Sequence, residues 1–297
     1  MKSVLTILLL LLLASCEKDF VIDQHNGNNK MAVNALFDDG QPIQVFITKP
    51  YAIGAPNTTI AAIPDAQVAL YEDSVFKEMI RYVPSDTQNT FGSYISNLIP
   101  QQGKRYTIQA MDANYVAATA SDQIPVGAQI ISSSLQHYTD SGSNQGGIMT
   151  MTFKDDPAVQ NYYRINVWIG GLYHDPNNLT DTSHYFQWNA ITSYPISPVS
   201  DTVRDGAFFL FSDRGFNGQQ KTLQISFNTI DTTGFSSLNL YVELHTISQP
   251  NYQYFQTLNL YRASNGSSEP VFIYSNVNNG FGAFVGEHLQ SLPFVIK

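Results

Sequence analysis

From Leu238 to Leu244 every second residue is apolar, with Leu238, Leu240, Val242 and Leu244 separated by Asn239, Tyr241 and Glu243. A period of two puts the aliphatic side chains on one face of an extended strand and the polar ones on the other. The segment therefore predicts an antiparallel strand buried on one side, with Asn239, Tyr241 and Glu243 facing outward. Shorter runs of the same kind lie at 31–37 (MAVNALF), 44–48 (QVFIT), 66–71 (AQVALY), 106–110 (YTIQA) and 116–120 (VAATA). Turn residues separate them at 38–40, 54–56 and 102–104. Short punctuated strands predict a β-sandwich over 31–125, closed where Pro125 interrupts the pattern.

A second series follows at 147–153 (GIMTMTF), 162–169 (YYRINVWI), 207–211 (AFFLF), 222–227 (TLQISF) and 238–244, and predicts a second β domain over 126–297. One stretch changes period. Tyr254, Leu258 and Tyr261 recur at i, i+4 and i+7, after Ser248 as N-cap and Pro250 in the first turn, with Gly266 beyond the end. An amphipathic helix over 250–263, packed on the second sheet, is the reading. The expected class is all-β, with two β-sandwich domains and this one helix.

The chain begins differently. Lys2 precedes an apolar run over 4–13, about half the length that crosses a bilayer, and small residues follow at Ala14 and Ser15. Residues 1–15 read as a secretory signal peptide. Cys16 is the only cysteine, and Leu13-Ala14-Ser15-Cys16 resembles a bacterial lipobox. The resemblance implies cleavage between Ser15 and Cys16 and acylation of Cys16, an anchor of about 0.8 kcal/mol for each buried CH₂. Glu17, Lys18 and Asp19 resemble the export signal of Bacteroidetes-type lipoproteins, which favours the cell-surface face of the outer membrane over the periplasmic one. Residues 16–30, Asn-rich after Ile22, read as a tether.

Charge and composition narrow the function. Fifteen Lys plus Arg against 24 Asp plus Glu give a formal charge of −9, or −9 − 1 = −10 once the signal with Lys2 is removed. No basic stripe is present to neutralise phosphates, which argues against nucleic acid as a partner. Charged residues are 13% where about 25% is usual; 17 Tyr and 18 Phe replace them, as in extracellular β proteins.

The ordered pieces IPDAQVALYED (63–73), GKRYTIQA (103–110), SDQIP (121–125), NYYRINV, FLFSDRGFNGQ, ISQPNYQYFQTL and EPVFIYSNVNNGFGAFVG (269–286), together with the lipobox and the first strand, resemble the Bacteroidetes lipoproteins of domain-of-unknown-function family 4249. The resemblance spans nearly the whole mature chain. It implies an outer-membrane lipoprotein often found beside TonB-dependent transporters, with an N-terminal domain similar to transthyretin-like and carboxypeptidase-regulatory sandwiches. It carries no catalytic residues over. Residues 126–134 are longer and more apolar than the family's linker is expected to be.

No GxSxG, HExxH, CxxC or phosphate-binding Gly-Lys-Ser/Thr loop occurs, so no enzyme activity and no cofactor is expected. A carboxylate hydrolase would need two acids about 5 to 9.5 Å apart across a cleft. Asp155 and Asp156 are adjacent, and neighbours on a strand point to opposite faces, which favours a strand-end cap. His174 and His184 share a polar stretch with Asp175, Asn177, Asn178 and Asp181; they are metal-ligand candidates whose spacing matches no ligand pattern. Asp213, Arg214, Gly215, Asn217 and Gly218 read as a tight turn or a small polar site. Near the end, Tyr274, Asn276, Asn278 and Phe281 combine aromatic faces with amides suited to a glycan, while NNG also fits a hairpin turn. Ser74, Thr202 and Thr232 follow Asp residues in tripeptides that resemble Bacteroidetes O-glycan acceptors. These features lead to a lipid-anchored binding or accessory protein beside a TonB-dependent transporter. An independent carbohydrate-binding lipoprotein is the alternative.

Overall fold

The computed structural model describes residues 29–50, 60–86, 91–139, 145–177, 184–206, 208–264 and 271–297. Ser15, Cys16 and the tether up to residue 28 lie outside the described residues.

The first core is enclosed by β1 (Ala32–Phe37), β2 (Gln44–Thr48), β3 (Gln67–Glu72), β4 (Val75–Val83), β5 (Ser93–Ile95), β6 (Arg105–Asp112) and β7 (Tyr115–Gln123), bonded in the order β1-β2-β5-β4-β3-β6-β7. Alternation on β1 turns Val33, Ala35 and Phe37 inward, where Phe37 meets Tyr106 and Phe284 at ring distances of 5.9 and 4.4 Å. Asp73 and Ser74, with φ of 48° and 70°, make the two left-handed positions of a tight hairpin between β3 and β4. The Asp73 carboxylate pins it by accepting from Lys104 Nζ at 2.7 Å and the Arg105 N–H at 3.1 Å. β4 escaped the sequence reading because Lys77, Glu78 and Arg81 mask its alternation, and most of its side chains are exposed.

The second core lies between two sheets. One is β8 (Gln129–Thr139), β9 (Gln145–Lys154), β12 (Ser193–Pro195) and β15 (Gln220–Ile230), in the order β12-β15-β9-β8. The other runs β13 (Ser200–Asp205), β14 (Phe208–Ser212), β10 (Tyr162–Tyr173), β16 (Phe235–Ile247) and β18 (Phe284–Val295), with β11 (Tyr185–Ala190) also on β10. Leu238, Leu240, Val242 and Leu244 are fully buried, each contributing about 1.5 to 3 kcal/mol. Across from them sit Met149, Met151, Phe153, Leu223 and Ile225.

The end of the chain joins the two units. β17 (Val277–Asn278) pairs with β7, and β18 begins parallel to β1, with Ala35 opposite Phe284, before running antiparallel to β16 from Glu287 to Val295. Val277 and Phe284 thereby belong to the first core. A division at Pro125 alone does not describe this packing, because the edge of β1 takes its hydrogen-bond partners from the far end of the sequence. Pro293 is accommodated in β18 because β1 pairs only with its first residues.

The helix, α1 (Gln249–Ser264), starts where expected, with Ser248 Oγ accepting the Asn251 N–H at 3.2 Å. Its buried side differs from the expected stripe of Tyr254, Leu258 and Tyr261. Asn251 and Tyr252 are the buried residues, and Tyr261 is exposed. Tyr252 packs with Tyr162, Leu210 and Ile247, and its hydroxyl donates to the Asp201 carbonyl at 2.6 Å. The stripe that holds α1 to the sheet is shifted from the expected one: Phe255 packs on Phe208 at a ring distance of 5.4 Å, Asn259 Nδ2 donates to the Arg204 carbonyl at 2.5 Å and Arg262 pairs with Asp205.

Candidate functional site

The strands that turn Val33, Val45 and Ile47 into the first core turn Ala32, Asn34, Phe46 and Thr48 to the opposite side. There they floor a groove of about 750 Å³ whose walls include Ile60, Tyr82, Phe91 and Phe281, a volume within the ~300–1,000 Å³ of small-ligand sites. Phe281 is held by backbone bonds on both sides, its carbonyl accepting the Val33 N–H at 2.8 Å and its N–H donating to the Met31 carbonyl at 3.0 Å. Its ring, 41% exposed, carries the Lys30 ammonium at 5.4 Å. Gly92 is required opposite Tyr82, since a Cβ there would meet the Tyr82 hydroxyl at 2.0 Å. A smaller cavity of about 140 Å³ shares Asn34 and Phe46 and reaches Tyr254 and Phe255 of α1, so the concave apolar surface continues from the first unit to the helix. Burial pushes the Tyr254 hydroxyl above its ordinary pKa.

The match of the family model "Domain of unknown function (DUF4249)" extends over residues 17–290. The chain belongs to that family. No curated protein matches this DUF4249 chain. A solved structure described as "Complete structure of manganese lipoxygenase of Gaeumannomyces graminis and partial structure of zonadhesin of Komagataella pastoris" aligns at 11% identity and a TM-score of 0.21, covering 91% of this chain and 94% of that one. That likeness is too low to bear on fold or activity.

Of the four residues singled out near the C-terminus of this DUF4249 chain, Phe281 alone lines the groove. Asn276 is committed to structure. Its Oδ1 accepts the Phe284 N–H at 2.9 Å and its Nδ2 donates to the Phe284 carbonyl at 2.7 Å, so the amide acts as a one-residue strand. Tyr274 donates its N–H to Thr257 Oγ1 on α1 at 2.8 Å, and Asn278 sits opposite Thr119 of β7. The NNG turn, with Asn279 at φ 57°, leads from β17 to the bridge between Ala32 and Phe281. Phe46 is not anticipated from the sequence, where 44–48 reads as an alternating strand; the signal is the unbroken apolar run Val45, Phe46, Ile47, which leaves an apolar residue on the outward face.

His174 and His184 do come together, with ring centroids 5.3 Å apart. Among the described residues no group of three potential ligands forms, and Asn178 and Asp181 lie outside them. Asp213 is buried and accepts the Asn161 N–H at 2.8 Å in a turn with left-handed Gly215 and Gly218, which is the turn reading; burial pushes its carboxyl upward. Asp155 accepts from the Tyr163 hydroxyl and from the Gly218 N–H at 2.7 Å, whereas Asp156 accepts the Ala158 N–H at 2.9 Å. The adjacent acids therefore serve as caps on different partners. Ser74 and Thr202 are exposed. Thr232 is only 6% exposed, so it does not meet the exposure that O-glycosylation needs, its turn having folded against the second core.

Proposed function

We propose that this chain is a lipid-anchored outer-membrane lipoprotein of the Bacteroidetes type that binds rather than catalyses, using the groove of its first unit to hold an apolar segment of a membrane partner. The observation that carries the reading is the groove itself. Its lining is mainly aromatic and aliphatic, drawn from β1, β2, β4 and the segments at 60, 91 and 281, with Asn34, Thr48, Lys49 and Ser85 as its polar members, and the chain enters the fold beside it, where Lys30 covers Phe281. An anchored protein thus presents the groove near its point of attachment. The lipobox resemblance supplies Cys16 as that anchor, and the family resemblance points to a TonB-dependent transporter as the partner, on the cell-surface face.

The test is recovery of the tagged, lipidated protein from native outer membrane in mild detergent, with mass spectrometry of what accompanies it. A transporter in near-equal amount, lost from Phe281→Asp and Phe91→Asp, is the expected result. Recovery of the protein alone, or a transporter retained by both variants, refutes the groove as the contact. Cys16→Ser is expected to move the protein to the soluble fraction, and retention in the membrane refutes the anchor.

A further inference from the structure

A second surface, on the other unit, has features the fold itself does not require. The outer face of the sheet formed by β10, β11 and β16 places Trp168, Gly170 and Leu172 opposite Tyr241, Asn239 and Ser237 on one side and Ala190, Trp188 and Phe186 on the other. Both tryptophans of the chain lie on this face. A Cβ on Gly170 would come within 2.7 Å of the Trp188 ring, so the missing side chain is what lets the indole lie down against the strand. Trp188 nonetheless remains 55% exposed and Phe186 52%. The Trp188 ring lies 5.1 Å from Phe186 at an interplanar angle of 51° and 4.8 Å from Tyr241 at 48°, which makes a row of rings that turns along its length.

Hydrogen-bonding groups stand beside the row. Asn239 pairs with Gly170, directly beneath the indole. Glu243 is two residues from Tyr241; Trp168 Nε1 and Asn166 Nδ2 donate to its Oε2 at 2.8 and 3.3 Å, and His245 Nε2 lies 3.3 Å from the same oxygen. Oε1 receives none of these three. Burial acts to raise the Glu243 pKa, but His245, Trp168 and Asn166 outweigh it and hold the carboxyl below its ordinary value. It is a fixed, ionised acceptor at the rim.

Exposed ring faces, laid flat by a glycine and flanked by an amide and a carboxylate, suit one ligand chemistry well. A pyranose has an apolar C–H face that stacks on aromatic rings and an edge of hydroxyls that pair with amides and carboxylates. The turn between rings fits a chain that twists in solution, and the formal charge of −9 together with Glu243 disfavours acidic sugars. We infer that the outer face of β10, β11 and β16 is a platform for a neutral polysaccharide chain, stacked on Trp188, Phe186 and Tyr241 and hydrogen-bonded by Asn239 and Glu243. This site is independent of the groove in the first unit.

Affinity electrophoresis of the full-length protein in detergent, through gels containing xyloglucan, mixed-linkage β-glucan, galactomannan or pullulan, tests it. Retardation by at least one polymer is expected, with a change in indole emission on adding that polymer. Trp188→Ala should weaken binding at least tenfold and abolish most of the emission change while leaving the far-ultraviolet circular dichroism intact; Trp188→Phe, which keeps a ring, should retain part of the affinity. No retardation by any of the four polymers with unchanged emission overturns the inference. So does retardation that Trp188→Ala leaves intact. A protein that sediments as a dimer and becomes monomeric in Trp188→Ala, without polysaccharide binding, assigns the face to self-association instead.

Discussion

Arg164, His245 and Glu287 meet on the outer face of the second unit, beneath α1, and removing the charge of Glu287 is the sharpest test of what holds that face together. Arg164 and Glu287 are each 4% exposed. One guanidinium nitrogen lies 2.7 Å from Glu287 Oε1, His245 Nδ1 is 2.9 Å from the same oxygen, and Asn251 Nδ2 donates to Oε2 at 3.1 Å. The Arg164 guanidinium also faces the Phe255 ring at 5.3 Å. Burial by itself would raise the Glu287 pKa. Arg164, His245 and Asn251 reverse that and hold it at about 2, against an ordinary 4.5. At about 1.4 kcal/mol per pH unit this gap is worth roughly 3 to 4 kcal/mol of folding free energy, similar to the ~3–5 kcal/mol lost when one partner of a buried ion pair is removed. The folded pKa is depressed, so the contribution is present above pH 4.5 and declines as the pH falls toward 2. Glu287→Gln keeps the shape and removes the charge, and it should lower the urea-unfolding free energy at pH 7 by about 3 kcal/mol. Arg164→Met combined with Glu287→Leu should recover most of the loss, because no unpaired charge then remains buried. A Glu287→Gln protein within about 1 kcal/mol of the parent, or a double variant no more stable than the single one, refutes the reasoning.

Asp122 titrates in the opposite sense: burial pushes it up to about 6 although Ser248 and Gly286 donate to it, so its contribution is complete below its ordinary 3.8 and declines as the pH rises through 6. Asp122→Asn should flatten the dependence of the urea midpoint on pH between about 4 and 6, and an unchanged slope counts against the assignment. Gly282, at φ +101°, would bring a Cβ within 2.3 Å of the Val33 carbonyl, whereas Gly206, at φ +59°, has nothing within 4 Å. Thermal unfolding should show Gly282→Ala losing more than about 2 kcal/mol and Gly206→Ala only about 1; equal losses would refute the clash. Tyr163→Phe withdraws a buried donor from Asp155 and should cost about 1 to 3 kcal/mol by chemical denaturation, an effect that a neutral substitution would contradict.

Period-two runs are a local property, and where the chain obeyed them the strands could be read directly. Leu238 to Leu244 and the segment YYRINVWI are strands because neighbouring side chains on an extended backbone must face opposite ways. Ser248 and Pro250 likewise marked the start of α1, since capping involves only nearby residues. Chain direction across the molecule is not local. β18 lacks a clean alternation and carries Pro293, so its role as the strand linking β16 to β1 emerges only when both are present to pair with it. The same holds for the sites. Phe46, Phe91 and Phe281 are far apart in sequence and line one groove, and the Trp188 ring lies against Gly170 because β11 pairs beside β10. The aromatic and amide residues near the C-terminus looked alike along the chain, yet the fold spends Asn276 on a backbone partner and leaves Phe281 in the groove. Sequence by itself determined the strands with clean alternation, the helix start and the family, all properties of short or ordered segments. Which aromatic residues became core and which face solvent was decided only by tertiary structure, because that depends on what packs against the second face of each strand.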